Sequence, residues 1–225
     1  MINSVSRLLI MIVLLIINFS GLLQGETPKN SKKTIKDQFY FFPKGIFNAP
    51  QPINKDFDQD KSIRDLYSKN LKSMKEPSIS ISEHEFESAY RFLWLRTFNH
   101  PIAVRIEKLN GQIILYAVEL SGKGGYDPGV IKKSKKKELS HDDFNRLSEI
   151  LKEIDFWNMD NVLKILNTDG TITLNADGAQ WILEGNSNGK YHVVDRWSPE
   201  AGKYKELCLY FLQIAGFKIK TDDIY

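Results

Sequence analysis

The chain has 225 residues, of which 31 are lysine or arginine and 28 are aspartate or glutamate, so its formal net charge is +3. A charge this close to zero argues against a general polyanion-binding protein, and no specific nucleic-acid partner is expected. The single cysteine, Cys208, excludes an intrachain disulfide, so the core alone must stabilise the fold.

The N-terminal segment 1–25 is predicted to be a signal peptide. Arg7 supplies a positive charge, and an apolar run over 8–19 follows it before small residues begin. This run is shorter than the ~20 residues that span a bilayer, so we expect export to the periplasm or secretion, with cleavage after Gly25. The alternative is an uncleaved N-terminal segment that anchors the protein in the membrane.

Residues 26–82 are predicted to form a polar arm or linker, because they are rich in lysine and contain five of the eight prolines. Two apolar segments interrupt this arm. The first, 39–47, is rich in phenylalanine and is expected to dock on the chain's own domain. The second, 62–75, carries an apolar stripe at helical spacing, and Ser62 with Asp65 resembles a capping box. It predicts a short amphipathic helix.

A compact domain is predicted over 83–219. In its first strand, Tyr90, Phe92 and Trp94 alternate with Arg91, Leu93 and Leu95, so both faces are expected to be largely covered. A hairpin follows, with strands over 103–109 and 112–120 joined by Asn110-Gly111, a dipeptide typical of two-residue turns. The predicted inward residues are Val104, Ile106, Ile113, Leu115 and Ala117, and the predicted outward residues are Arg105, Glu107 and Tyr116.

The segment 121–137 joins this hairpin to a helix. Its glycine-rich part, 121–129, lacks the spacing and the strand-to-helix setting of a phosphate-binding loop. Its lysine-rich part is predicted to be a solvated loop. A weak, salt-sensitive attraction to an anionic membrane surface or envelope polymer is expected from these lysines. They are Lys132, Lys133, Lys135, Lys136 and Lys137.

Two further helices are predicted, with a short strand over 171–174 between them. Ser140 caps the first helix. The second runs to Ala215, ends at Gly216 and buries Cys208 as a structural thiol. The element order, βββ-α-ββ(β)-α, predicts an α+β fold with a mainly antiparallel sheet and helices packed on one side, preceded by the extended arm.

A second hairpin is predicted from strands over 180–184 and 190–197 with a turn over 186–189. A loop of two or four residues fixes which side chains share a face, and a three-residue loop would exchange the faces.

With a loop of two or four residues, Trp181 shares a face with His192 and Arg196, whereas Asp195 points to the opposite face. His192 and Asp195 therefore cannot form a local acid–base pair. A packed sheet face is the expected role of this region, and a small recognition surface is the alternative. The candidate binding residues of the chain are Trp181, His192, Arg196, Trp197, Asp177 and Asp195.

The sequence contains no catalytic motif that we recognise. Its four histidines, His84, His100, His141 and His192, lack the spacing of a metal-binding motif, and no G-x-S-x-G sequence is present. We therefore expect neither a metal nor a cofactor, and no residue is assigned a catalytic role.

Four segments, RFLWLRTFNHPIAVRI, DGAQWILEG, YHVVDRWSP and KELCLYFLQIAG, resemble an uncharacterised family of exported bacterial proteins. The resemblance covers about Glu87 to Gly216 and leaves out the arm. It implies an exported bacterial protein, and it implies no activity because the family has no assigned function.

Two functional hypotheses follow from the sequence. The first is a non-catalytic domain outside the cytoplasm that binds or scaffolds a component of the cell envelope. The second is a small hydrolase-like enzyme acting on an anionic substrate, in which Asp177, His192 or Asp195 serves as acid or base. Arg196 would then steady the substrate.

Overall fold

The computed structural model describes residues 41–48, 58–81, 86–163 and 177–225. The predicted signal peptide over 1–25, the first part of the arm and the strand predicted over 171–174 lie outside these residues. Among the helices described, none has the length and apolar character needed to cross a membrane.

The compact domain is built on a six-stranded antiparallel sheet with the strand order β4-β3-β2-β1-β5-β6. In the described part of the chain, three α-helices accompany this sheet. The predicted α+β fold class is therefore confirmed. The strands are β1 (Ser88–Arg96), β2 (Ile102–Leu109), β3 (Gln112–Leu120), β4 (Ile131–Glu138), β5 (Ala179–Ser187) and β6 (Lys190–Trp197), and the helices are α1 (Gln59–Ser73), α2 (His141–Glu153) and α3 (Lys203–Ala215).

Both predicted hairpins are present and close with two-residue turns. Asn110-Gly111 has φ values of 50° and 80°, and Asn188-Gly189 has φ values of 49° and 79°. Left-handed backbone at both turn positions matches the right-handed twist of the flanking strands, and Asn-Gly adopts it at low cost. The predicted inward face of the first hairpin is confirmed, because its five apolar residues all lie in the core.

The helices α2 and α3 pack on one side of the sheet, which we call the helix face. The rings of Trp94 and Trp181 meet there at a centroid distance of 5.1 Å, and Phe92 lies 5.5 Å from Trp181. Ser140 caps α2 as predicted, because its hydroxyl accepts a hydrogen bond from the Asp143 amide at 3.1 Å. Gly216 ends α3 in the left-handed conformation, at φ 82°.

The opposite side of the sheet, which we call the arm face, is covered by residues 41–48 and α1. Phe47 and Tyr67 pack edge to face at 5.4 Å, and Leu71 is fully buried beside them. These side chains cover Leu93 and other apolar residues of the central strands. The docking expected for the aromatic segment is observed for its described residues.

Three local predictions are wrong. The lysine run is not a loop but the edge strand β4, in which Tyr116 pairs with Lys136 and Ala117 with Lys135. Lysine side chains stay solvated on an edge strand and hinder pairing with another sheet. The helix α1 begins one turn before Ser62, because the Asp58 side chain accepts a hydrogen bond from the Lys61 amide at 2.8 Å.

The third error concerns Arg105, which was expected on an outward, solvated face together with Glu107 and Tyr116. Arg105 is buried because the arm covers that face of the sheet. Its guanidinium lies 4.1 Å from the centre of the Tyr116 ring and donates hydrogen bonds to the carboxylates of Glu76 and Glu107.

Candidate functional site

Trp181 and Arg196 pair across β5 and β6 as predicted, but they do not form an exposed surface. Trp181 is 0% exposed, and its indole Nε1 donates to the carbonyl of Tyr225 at 2.9 Å. The Arg196 guanidinium donates to the carbonyl oxygens of Asp160 at 2.9 Å and Asp195 at 2.8 Å. Both side chains therefore hold neighbouring segments of the chain in place.

His192 and Asp195 lie on opposite faces of β6, as the strand periodicity predicts. The His192 ring packs on the helix face, 5.0 Å from the ring of Phe156, and burial lowers its pKa. Asp195 lies on the arm face, where its Oδ2 accepts a hydrogen bond from the Tyr67 hydroxyl at 2.7 Å. No proton can pass directly between the two groups.

The remaining two candidates lie near the end of β6. Asp177 is exposed, and Trp197 is partly buried with its ring against Gly178, where a Cβ would come within 2.5 Å of the ring. The six predicted binding residues are thus distributed over both faces of the sheet. Their proposed binding role stays a prediction.

A buried ionic network on the arm face was not predicted from the sequence. Arg91 is 0% exposed and donates from Nε to Glu184 at 2.7 Å and from Nη1 to the carbonyl of Pro77 at 2.7 Å. Glu76 accepts from Arg105 at 2.7 Å, and Tyr191 donates to Glu184 at 2.8 Å. Burial raises the pKa of Glu184, and the adjacent Arg91 guanidinium opposes that rise. The network joins the end of the arm to residues of four strands, β1, β2, β5 and β6.

A groove of about 660 Å³ lies at the end of the helix face, next to the end of α3. Ile102, Glu119 and Lys133 adjoin one another on β2, β3 and β4 and form one wall with Arg96 of β1. Ala215 and the segment 216–219 form the other wall. A volume of this order is typical of small-molecule sites, roughly 300–1,000 Å³.

Arg96 supplies the least exposed charge of this groove, with only 5% of its surface exposed. Its guanidinium stacks on Trp94 at 4.1 Å and donates to the carbonyl oxygens of Asp223 at 3.3 Å and His100 at 3.2 Å. Burial lowers its pKa, and electrostatic interaction with Tyr225, Asp223 and Glu119 only partly offsets that effect. Among the described residues, Arg96 has no carboxylate within ion-pair distance, and its buried Nε–H has no acceptor.

The rim of the groove is also basic. Lys133 is largely exposed, and Lys135 donates from Nζ to the carbonyl of Ala215 at 3.3 Å, which places a cation at the C-terminal end of α3. The Glu119 carboxylate accepts a hydrogen bond from Lys132 Nζ at 3.0 Å and lies 3.7 Å from Lys133 Nζ. The residues that line the groove include four cationic side chains and one carboxylate.

The sequence carries a partial signal for this groove. Arg96 continues the alternation of Tyr90, Phe92 and Trp94 and therefore belongs on the helix face. Lys133 and Lys135 show the same two-residue period once β4 is recognised as a strand. The sequence does not show that Arg96, Lys133 and Lys135 lie beside the segment after α3. Only the tertiary structure shows this.

Among the described residues, no group of three or more histidine, cysteine, aspartate or glutamate side chains is placed to hold a metal ion. Cys208 is buried in the core, and burial raises its pKa well above the ordinary value for a thiol. Comparison of the chain with protein-family models and with curated proteins finds no match.

Proposed function

We propose that the protein is an exported, non-catalytic domain that binds a component of the cell envelope, and that the groove beside Arg96 is its binding site. The observation that carries this proposal is the nearly buried Arg96 guanidinium in a groove large enough for a ligand. A buried cation without a counterion is unfavourable, and binding an anion relieves that cost.

Support for a binding role also comes from the contacts of the residues that a hydrolase would need. Asp195 hydrogen-bonds Tyr67, and Arg196 is bonded to backbone carbonyls on the same sheet edge. These contacts stabilise the fold, and His192 lies on the other side of the sheet from Asp195. The groove, by contrast, combines charge with open volume.

The first prediction tests the groove with isolated cell envelopes. The chain is purified without the export signal where that signal is cleaved, and in full where it is not. It is then sedimented with envelopes at low and high salt. We expect Lys133→Glu to reduce co-sedimentation by roughly threefold to tenfold, because it reverses a charge at the groove rim.

The matched control is Lys136→Glu, which makes the same change of net charge on the same strand. Lys136 packs over Tyr116 at 5.3 Å, away from the groove. We expect this variant to bind envelopes like the wild type. Equal losses in both variants would instead indicate a general attraction through the lysines of β4 and would remove the groove from the proposed function.

A further inference from the structure

The chemistry of the groove limits what its ligand can be. Arg96, the least exposed of its charged residues, is held in a fixed orientation by the Trp94 ring and by two backbone carbonyls. Both carbonyl contacts are long, at 3.2–3.3 Å, and neither acceptor carries a full negative charge. A planar guanidinium in this setting is suited to a carboxylate or a phosphate.

The rim adds a second electrostatic contribution. Lys133 has a side chain that is 70% exposed, so it can move toward a ligand, whereas Lys135 is positioned by the Ala215 carbonyl. Glu119 is the competing anion among the four cationic side chains of the groove, and it is paired with Lys132 at 3.0 Å and more distantly with Lys133 at 3.7 Å. An incoming anion therefore meets an excess of positive charge.

The lining of the groove also includes apolar side chains. Ile102 and Ala117 line it from the sheet with only 1% and 3% of their surface exposed, and the partly exposed Phe217 and Ile219 line it from the segment after α3. Apolar walls of this kind favour a ligand that removes its own apolar surface from water. A small inorganic anion would leave Phe217 and Ile219 uncovered.

We infer that the groove binds an amphipathic molecule, with a phosphate or carboxylate group on Arg96 and an apolar body against Phe217 and Ile219. This inference rests on the proposed function and specifies the ligand class of the same site. Arg96 acts as the recognition residue, and Lys133 and Lys135 attract the anion to the groove.

The test titrates the purified full-length chain with hexyl phosphate, hexanoate, hexanol and inorganic phosphate. Backbone amide resonances of Gly216 and Phe217 report occupancy of the groove. We expect shifts with hexyl phosphate and hexanoate, and weaker binding or none with hexanol and inorganic phosphate. Arg96→Gln is expected to weaken hexyl phosphate binding by about tenfold or more, because it removes the buried cation.

Lys136→Gln is the control variant, because it removes one positive charge from β4 outside the groove, and we expect its affinity to stay within about twofold of the wild type. Since Arg96 also holds the segment around Asp223, the fold of Arg96→Gln is checked by its thermal midpoint. Lys133→Gln provides a second variant at the solvated rim, with an expected loss of roughly threefold.

Vesicles of phosphatidylglycerol distinguish two sources of the same chemistry. If the wild type binds vesicles and Arg96→Gln does not, the ligand is a lipid headgroup. If the wild type binds hexyl phosphate but does not bind vesicles, the ligand is a soluble molecule. Both outcomes support the inference. Equal affinity of hexyl phosphate for Arg96→Gln and the wild type, equal binding of hexanol, or no shift at the groove amides overturns it. The sedimentation of Lys133→Glu with envelopes tests the proposed function separately.

Discussion

Asp195 is a carboxyl group whose protonation is strongly altered by the fold. Burial raises its pKa from 3.8 to about 7, although the Tyr67 hydroxyl and the Arg196 charge oppose that rise. Burial raises the pKa of both Tyr67 and Tyr204, and the Asp195 carboxyl adds to both effects. A raised pKa means that the folded protein holds the proton more tightly than the unfolded chain does.

The contribution of Asp195 to stability is therefore fully present below about pH 4 and is lost as the pH rises through about 7. We expect a loss of at most about 4 kcal/mol in the free energy of unfolding across this range. Asp195→Asn should remove this part of the pH dependence in urea titrations. Asp142→Asn, an exposed control, should retain it, and an unchanged slope in Asp195→Asn would show that the folded protein holds an ionised carboxylate.

At the scale of the element, the start of α1 depends on one side chain. The Asp58 side chain accepts a hydrogen bond from the Lys61 amide and so acts as the N-cap. The Ser62 hydroxyl instead donates a hydrogen bond to the Asp58 carbonyl at 3.1 Å. Loss of an N-cap costs about 1 kcal/mol, so Asp58→Ala should lower the free energy of unfolding by that amount. Ser62→Ala should have a much smaller effect in the same chemical denaturation. The reverse ranking would place the cap at Ser62.

Features that depend on a short stretch of sequence were predicted. Features that depend on contacts between residues far apart in the chain were not. Asn110-Gly111 defines its hairpin within two residues, and the apolar spacing of α3 is visible along one helix. By contrast, Arg91 meets Glu184 across 93 residues, and Arg105 meets Glu76 across 29. No local sequence pattern predicts that Arg91 and Arg105 are buried. The edge strand β4 was missed because its lysines carry no apolar alternation.

The same distinction applies to the candidate site. Strand parity correctly separated His192 from Asp195, because a period of two residues is a property of the strand itself. Parity says nothing of what covers each face, so Trp181 and Arg196 were candidates for a surface although neighbouring segments bury them. The groove was missed because its second wall comes from the segment after α3.

At the scale of the whole molecule, the sheet has two covered faces, and the arm supplies one of the covers. The buried ion pairs of the network contribute little net stability to this docking once desolvation is counted. Apolar contact must then provide the stability of docking. Tyr67, Leu71 and Phe47 are all buried against the sheet, so the arm should belong to the same cooperative unit as the helices.

A matched pair of core leucines tests this cooperativity. Leu71 of the arm helix and Leu147 of α2 are both 0% exposed, and they lie on opposite faces of the sheet. If both covers unfold with the sheet, each substitution by alanine lowers the free energy of global unfolding by about 2–5 kcal/mol. Tryptophan fluorescence in urea measures it, because Trp94 and Trp181 report from the helix face. A detachable arm would leave that transition unchanged in Leu71→Ala, since the probes would then sense only the sheet and its helices.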